Sequence, residues 1–162
     1  MPSSLLPVLI VEDDESLGRT LGAALRSDPE ATCVDNAEDA MFKLGERRYS
    51  VIVLDVVLKA SSGLYVIDFV RSLPESQRPA VLLVTGARSQ VIANVDRAIV
   101  KAIMFKPVDL EPFAALVRVM AVKRTREQLQ ESSRGSGAAG AATSNGKLEA
   151  SPAAGGDPKL LR

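Results

Sequence analysis

Residues 51–58 read Val51-Ile52-Val53-Leu54-Asp55-Val56-Val57-Leu58. The first four are apolar in succession, and three are β-branched. Such a run has no polar face to turn to water, so it reads as a strand covered on both sides. It ends on a single carboxylate, Asp55, set between apolar residues. Solvated loop acids rarely have such neighbours. Four similar runs flank it: Pro7 to Val11, Ala31 to Val34, Ala80 to Val84 and Ala102 to Phe105.

The stretches between the runs switch to helical spacing. Leu17, Leu21, Ala24 and Leu25 share one face, as do Ala37, Ala40, Met41 and Leu44. Leu64, Ile67, Phe69 and Val70 follow, then Val91, Ile92, Val95 and Ile99. Leu110, Phe113, Leu116, Val117 and Met120 mark the last helix, with Asp109 as its expected N-cap. Five strands, each followed by a helix, predict an α/β, doubly wound (βα)5 three-layer sandwich. Right-handed crossovers make the sheet parallel and place helices on both faces. Ligands of such sheets bind beyond the carboxyl ends of the strands.

Those ends carry a particular set of residues. Glu12-Asp13-Asp14-Glu15 follows the first run and Asp55 the third. Thr85-Gly86 follows the fourth, and Lys106-Pro107 the fifth. Asp14 and Glu15 read as acids at a helix N-terminus, where the dipole favours them. Acids from two different strands, the Glu12–Glu15 run and Asp55, converge at one end of the sheet, and clustered carboxylates repel unless a cation sits among them. Mg²⁺ suits them, being a hard ion that takes a few carboxylates and keeps several waters. A carboxylate there can attack a phosphoryl group to form an acyl phosphate, with Lys106 offsetting charge. Thr85 can donate its hydroxyl to a phosphoryl oxygen.

Composition narrows the classes further. The chain has 162 residues, 20 Lys+Arg, 20 Asp+Glu, one cysteine and no histidine. Without histidine there is no Ser-His-Asp or Cys-His catalysis and no His-ligated zinc. Cys33 cannot form an internal disulfide, suits a reducing compartment, and reads as a small buried hydrophobe. No apolar run is long enough for a membrane span. No signal peptide is visible. A cytoplasmic location is expected. The charge balance is not that of a nucleic-acid binder, and Lys123, Arg124 and Arg126 read as cations favoured near a helix C-terminus.

Four segments, LIVEDDESL, VIVLDVVL, LLVTGAR and FKPVDLEPF, resemble the receiver domain of two-component response regulators. The resemblance covers about residues 6 to 125 in order. It implies a flavodoxin-like, five-stranded parallel sheet of order 2-1-3-4-5. It also implies roles: Asp55 as phospho-acceptor, Asp13 as direct Mg²⁺ ligand and Glu12 as a ligand through water. The backbone carbonyl of Val57 becomes the third protein ligand, Thr85 the switch hydroxyl and Lys106 the phosphate-pairing lysine. The Lys106–Pro107 bond is then expected to be cis. The chain departs from the family at Ile103, where many receivers carry Tyr or Phe; Phe105 is the candidate substitute. Residues Lys59 to Gly63 lack the proline common in that loop. The interval from Thr85 to Lys106 is about one residue short, which predicts an irregular fourth helix or loop. Apolar Val57 and Ala87 predict slow self-dephosphorylation.

The resulting expectation is a phosphorylation-dependent signalling switch that takes a phosphoryl group from a histidine kinase or phosphotransfer protein. Two alternatives compete with it. One is a receiver-like scaffold that takes no phosphate. The other is an Asp-nucleophile phosphatase, opposed by Val57 where such an enzyme needs a second acid. Output is expected through a homodimer or effector on the 88–125 face. There Ala115, Val119 and Val122 form either a contact surface or an exposed apolar helix back. The receiver is expected to span residues 1–131. Residues 132–162 carry a net charge of +2 and read as a flexible tail or linker, because Gly, Ala, Ser and Pro make up 20 of those 31. No helix-turn-helix pattern follows the receiver.

Overall fold

A computed structural model describes residues 4–26, 28–59, 62–86, 92 and 95–136. Five parallel strands form one sheet: β1 (Val8–Val11), β2 (Ala31–Val34), β3 (Val51–Leu54), β4 (Ala80–Thr85) and β5 (Val100–Phe105). Their order is β2-β1-β3-β4-β5. The helices are α1 (Glu15–Ala24), α2 (Ala37–Glu46), α3 (Leu64–Ser72) and a C-terminal helix α4 (Leu110–Ser136), with a 3-10 turn at Glu75–Gln77.

Alternation along each strand divides the core in two. Leu9, Val11, Ile52, Leu54, Val81 and Leu83 pack against Ala40 and Leu44 of α2 and Val66 and Val70 of α3. Val8, Ile10, Val51, Val53, Leu82 and Val84 pack against Leu21 of α1 and Phe113 and Val117 of α4. Both faces of the sheet are therefore covered, which is why its strands read as unbroken apolar runs. The caps hold the helix starts. Asp14 Oδ1 accepts the Leu17 N–H at 3.0 Å, and Asn36 Oδ1 accepts that of Asp39 at 2.8 Å.

Several local expectations change. Cys33 is exposed rather than buried, because β2 is the sheet's edge strand and lies incompletely covered. β5 begins at Val100, before the apolar run proper. Lys101 is the extra residue where Val81 pairs with Val100 but Leu82 pairs with Ala102, a bulge that hides the strand's start from a hydropathy reading. Val91 of the fourth predicted helix lies outside the described residues, whereas Val95 and Ile99 are described and stand outside any helix. They are buried on the α2–α3 side, and the Asp96 main-chain carbonyl closes a turn there by accepting the Ile99 N–H at 3.1 Å.

The C-terminal helix runs past the expected boundary at Glu131 to Ser136. The predicted tail from 137 to 162 lies outside the described residues. The helix persists because its later turns are docked. The Thr125 hydroxyl accepts the Leu6 N–H at 3.1 Å, and the fully buried Gln128 amide donates to the carbonyls of Tyr49 and Arg78, each at 3.1 Å. The Arg124 guanidinium donates to the carbonyls of Arg78 and Glu75. These contacts seal the edge of the sheet opposite the carboxyl ends of the strands.

Candidate functional site

The sheet ladder continues one residue past three strands and fixes what stands there. The Glu12 N–H donates to the Val34 carbonyl at 3.0 Å, that of Asp55 to Val11 at 3.0 Å, and that of Lys106 to Thr85 at 3.1 Å. Glu12, Asp55 and Lys106 thus start from pinned backbone positions at the ends of β1, β3 and β5. Their side chains meet. Lys106 Nζ lies 2.7 Å from Glu12 Oε2 and 2.7 Å from Asp55 Oδ2. Glu12 and Asp55 are buried, and Thr85 is fully buried beside them at the end of β4. The Lys106–Pro107 peptide is cis, as the resemblance implies.

Burial alone pushes the pKa of the Lys106 ammonium down. Hydrogen bonds and charge from Asp55 and Glu12 more than offset that, and the net direction is up. The lysine is held charged between two carboxylates.

Asp13 completes the acidic set. One carboxylate oxygen each from Glu12, Asp13 and Asp55 lie within 4.8 Å of one another. Three oxygen donors at that spacing, with no histidine in the chain and its one cysteine on the edge strand, fit a hard divalent cation. Asp55 Oδ1 accepts the Val57 N–H at 2.9 Å, which orients the carboxylate. The Val57 side chain is exposed.

The loop after β3 must pass close to Asp55. The Gly63 N–H donates to the Val56 carbonyl at 3.0 Å, and a Cβ on Gly63 would overlap the Asp55 carbonyl oxygen. Glycine is required here by close approach, since its φ of −57° is ordinary. Sequence reasoning missed one contact altogether. The Lys59 N–H donates to Asp13 Oδ2 at 2.9 Å, across 46 residues of chain. A backbone donor leaves no signature in a side-chain pattern.

Phe105 pairs with Thr85 in the β4–β5 register, and Ile103 with Leu83. Alternation puts Phe105 and Ile103 on the same face as Thr85. Phe105 is 52% exposed, whereas Ile103 packs partly buried on the core. Ala87, paired with Val57 in the kinetic expectation, lies outside the described residues.

The response regulator receiver domain model matches residues 8–118. The chain belongs to the response regulator receiver domain family. Receiver domains are phosphorylation-based signalling switches rather than enzymes in the ordinary sense, and they bind Mg²⁺ at an acidic pocket. This receiver is 32% identical over 114 residues to an uncharacterized transcriptional regulatory protein, YkoG, of Bacillus subtilis, covering 68% of this chain and 49% of the relative. It is 30% identical over 125 residues to the transcriptional regulatory protein KdpE of Staphylococcus aureus, covering 76% and 52%. The chain therefore spans about half the length of the curated relatives it matches. Among solved structures it resembles a CheY-like receiver domain protein from Methanospirillum hungatei, with a TM-score of 0.68, 20% identity and coverage of 76% and 99%. It also resembles a CheY-like receiver domain from Methylobacillus flagellatus, with a TM-score of 0.61, 23% identity and coverage of 72% and 99%. Both likenesses concern the fold. Among the described residues no helix is long and apolar enough to cross a membrane.

Proposed function

We propose that this receiver accepts a phosphoryl group on Asp55 from a histidine kinase or phosphotransfer protein of a two-component system. In this reading Glu12, Asp13, Asp55 and the Val57 carbonyl hold Mg²⁺. The observation that carries the reading is the bridge of Lys106 Nζ, 2.7 Å from both Asp55 and Glu12, beside the third carboxylate. A bound Mg²⁺ supplies positive charge against the phosphoryl oxygens and lets the carboxylates coexist. The chain's own groups do the rest. A carboxylate oxygen of Asp55 attacks phosphorus, the P–N bond of the partner's phosphohistidine breaks, and the electron pair leaves on the imidazole nitrogen. Lys106, already charged, shifts its ammonium from the carboxylates to the new phosphoryl oxygens. Thr85 donates its hydroxyl to the same group.

The consequence is a change in balance between two surface states, of the order of 1–3 kcal/mol for such couplings. The pull on Thr85 passes to its strand neighbour Phe105, the exposed ring on that face, and to the 88–125 surface where Val119 is 67% exposed. A homodimer or effector meets the protein there, in the cytoplasm. Val57 offers no group to orient water, so self-dephosphorylation is slow.

Incubation with Mg²⁺ and acetyl phosphate, read by intact mass, tests this. One phosphoryl group is expected on the wild type, and none on Asp55→Asn or without Mg²⁺. A folded wild-type protein that gains no mass, and does not respond to beryllofluoride, overturns the reading in favour of a scaffold. Multiple turnover of a small phosphate ester overturns it in favour of a phosphatase.

A further inference from the structure

Lys59 stands on the rim of the acidic site and touches Asp13 twice. Its N–H donates to Asp13 Oδ2 at 2.9 Å, and its Nζ lies 3.5 Å from the Asp13 main-chain carbonyl oxygen. The site then holds three carboxylates, from Glu12, Asp13 and Asp55, against two ammonium groups. Lys106 pairs with the carboxylates of Glu12 and Asp55, whereas the Lys59 ammonium meets the main-chain carbonyl of Asp13 rather than its carboxylate.

Two physical effects of opposite sign follow. The N–H restrains the Asp13 carboxylate by one oxygen, so its position is set before any cation arrives; preorganisation of this kind favours binding. The ammonium repels a divalent cation and reduces the net negative charge that attracts it. A residue with no backbone N–H would supply neither the restraint nor the charge. A neutral residue would supply the restraint alone.

We propose that Lys59 is a positioning residue that sets the cation affinity of this receiver, its N–H holding Asp13 in place and its ammonium weakening Mg²⁺ binding. The proposal rests on the reading of Glu12, Asp13 and Asp55 as a Mg²⁺ site. Its effect is to make occupancy of the site, and so phosphoryl uptake, responsive to Mg²⁺ concentration instead of saturated.

Calorimetric titration of the full chain with MgCl₂, without any phosphodonor, separates the parts. Lys59→Met keeps the N–H and removes the charge. It is expected to bind Mg²⁺ about three to ten times more tightly than wild type, the scale of one partly solvated unit charge acting on a divalent ion. The gap should narrow between about 0.01 M and 0.15 M ionic strength, as the Debye length falls from about 30 to about 8 Å. Lys59→Arg should match wild type. Lys59→Pro lacks both features, so its difference from Lys59→Met isolates the N–H; it should bind at least about threefold more weakly than Lys59→Met. Thermal unfolding of each variant without Mg²⁺ checks that the loop change has not cost the fold. If Lys59→Met binds as wild type does, the electrostatic role is overturned, whatever Lys59→Pro does. If Lys59→Pro equals Lys59→Met, the role of the N–H is overturned. Absence of Mg²⁺ binding by wild type itself removes the underlying site reading, and this proposal with it.

Discussion

The two edges of the sheet bury polar groups in opposite ways. At the carboxyl ends of the strands, Glu12, Asp55 and Lys106 are charged and satisfy one another at 2.7 Å, with Asp13 beside them. At the other edge, the polar groups are side chains bonded to main chain: Thr125 to the Leu6 N–H, Gln128 to the Tyr49 and Arg78 carbonyls, and Arg124 to the Glu75 and Arg78 carbonyls. In the proposed reading, charges paired with other side-chain charges exchange partners when a phosphoryl group or cation arrives. Side chains bonded to backbone of three separate loops have nothing to exchange with. In that reading one edge is built to be rearranged and the other to hold.

The largest test of that contrast is to cut the chain after Arg118, where the family match ends. This removes Met120, Ala121, Thr125 and Gln128, all buried. The loss of their burial and bonds amounts to more than about 5 kcal/mol, comparable to the whole stability of a small domain. No cooperative melt by circular dichroism is expected, whereas a chain ending at Ser136 should melt as the full chain does. A stable product of the shorter cut would make the helix end a mere appendage.

A smaller effect is expected from Gln128→Ala. It strands the Tyr49 carbonyl that the buried amide serves, at a cost of about 2 kcal/mol. Urea unfolding should show that loss equally with and without Mg²⁺, because this edge takes no part in cation binding. A loss that depends on Mg²⁺ would couple the two edges.

The smallest effect is one of pH. The folded pKa of Lys106 is raised above its ordinary 10.5, so its contribution to stability is fully present below that value and disappears as pH rises through the higher folded one. Across that alkaline window wild type should lose more stability than Lys106→Met, which has nothing to titrate there. Parallel losses would mean that the carboxylate bridge adds nothing to the fold.

Much of the switch edge is legible without a structure. Val51 to Leu54 and its sister runs declare strands covered on both faces, and a parallel sheet brings the residues after each run to one edge. Glu12, Asp13, Asp55, Thr85 and Lys106 follow from that rule and from the family resemblance. The holding edge is not legible. Gln128 and Arg124 look like residues of any solvated helix, and only their carbonyl partners, 46 to 79 residues away, bury Gln128 and draw Arg124 in. The same holds for Cys33, whose exposure depends on β2 having one strand neighbour, and for Lys101, whose bulge conceals the start of β5.

The amino-acid sequence by itself determined the alternation of strand and helix, because an apolar period is a local property that each segment carries wherever it goes. It also determined which charged residues would gather, because they directly follow the strands. Only the tertiary structure decided where the later turns of the last helix dock, and that the N–H of Lys59 would reach Asp13. Backbone donors and acceptors are the same at nearly every residue. Which of them meet a given side chain depends on the packing of distant loops, and that has no local sequence signal.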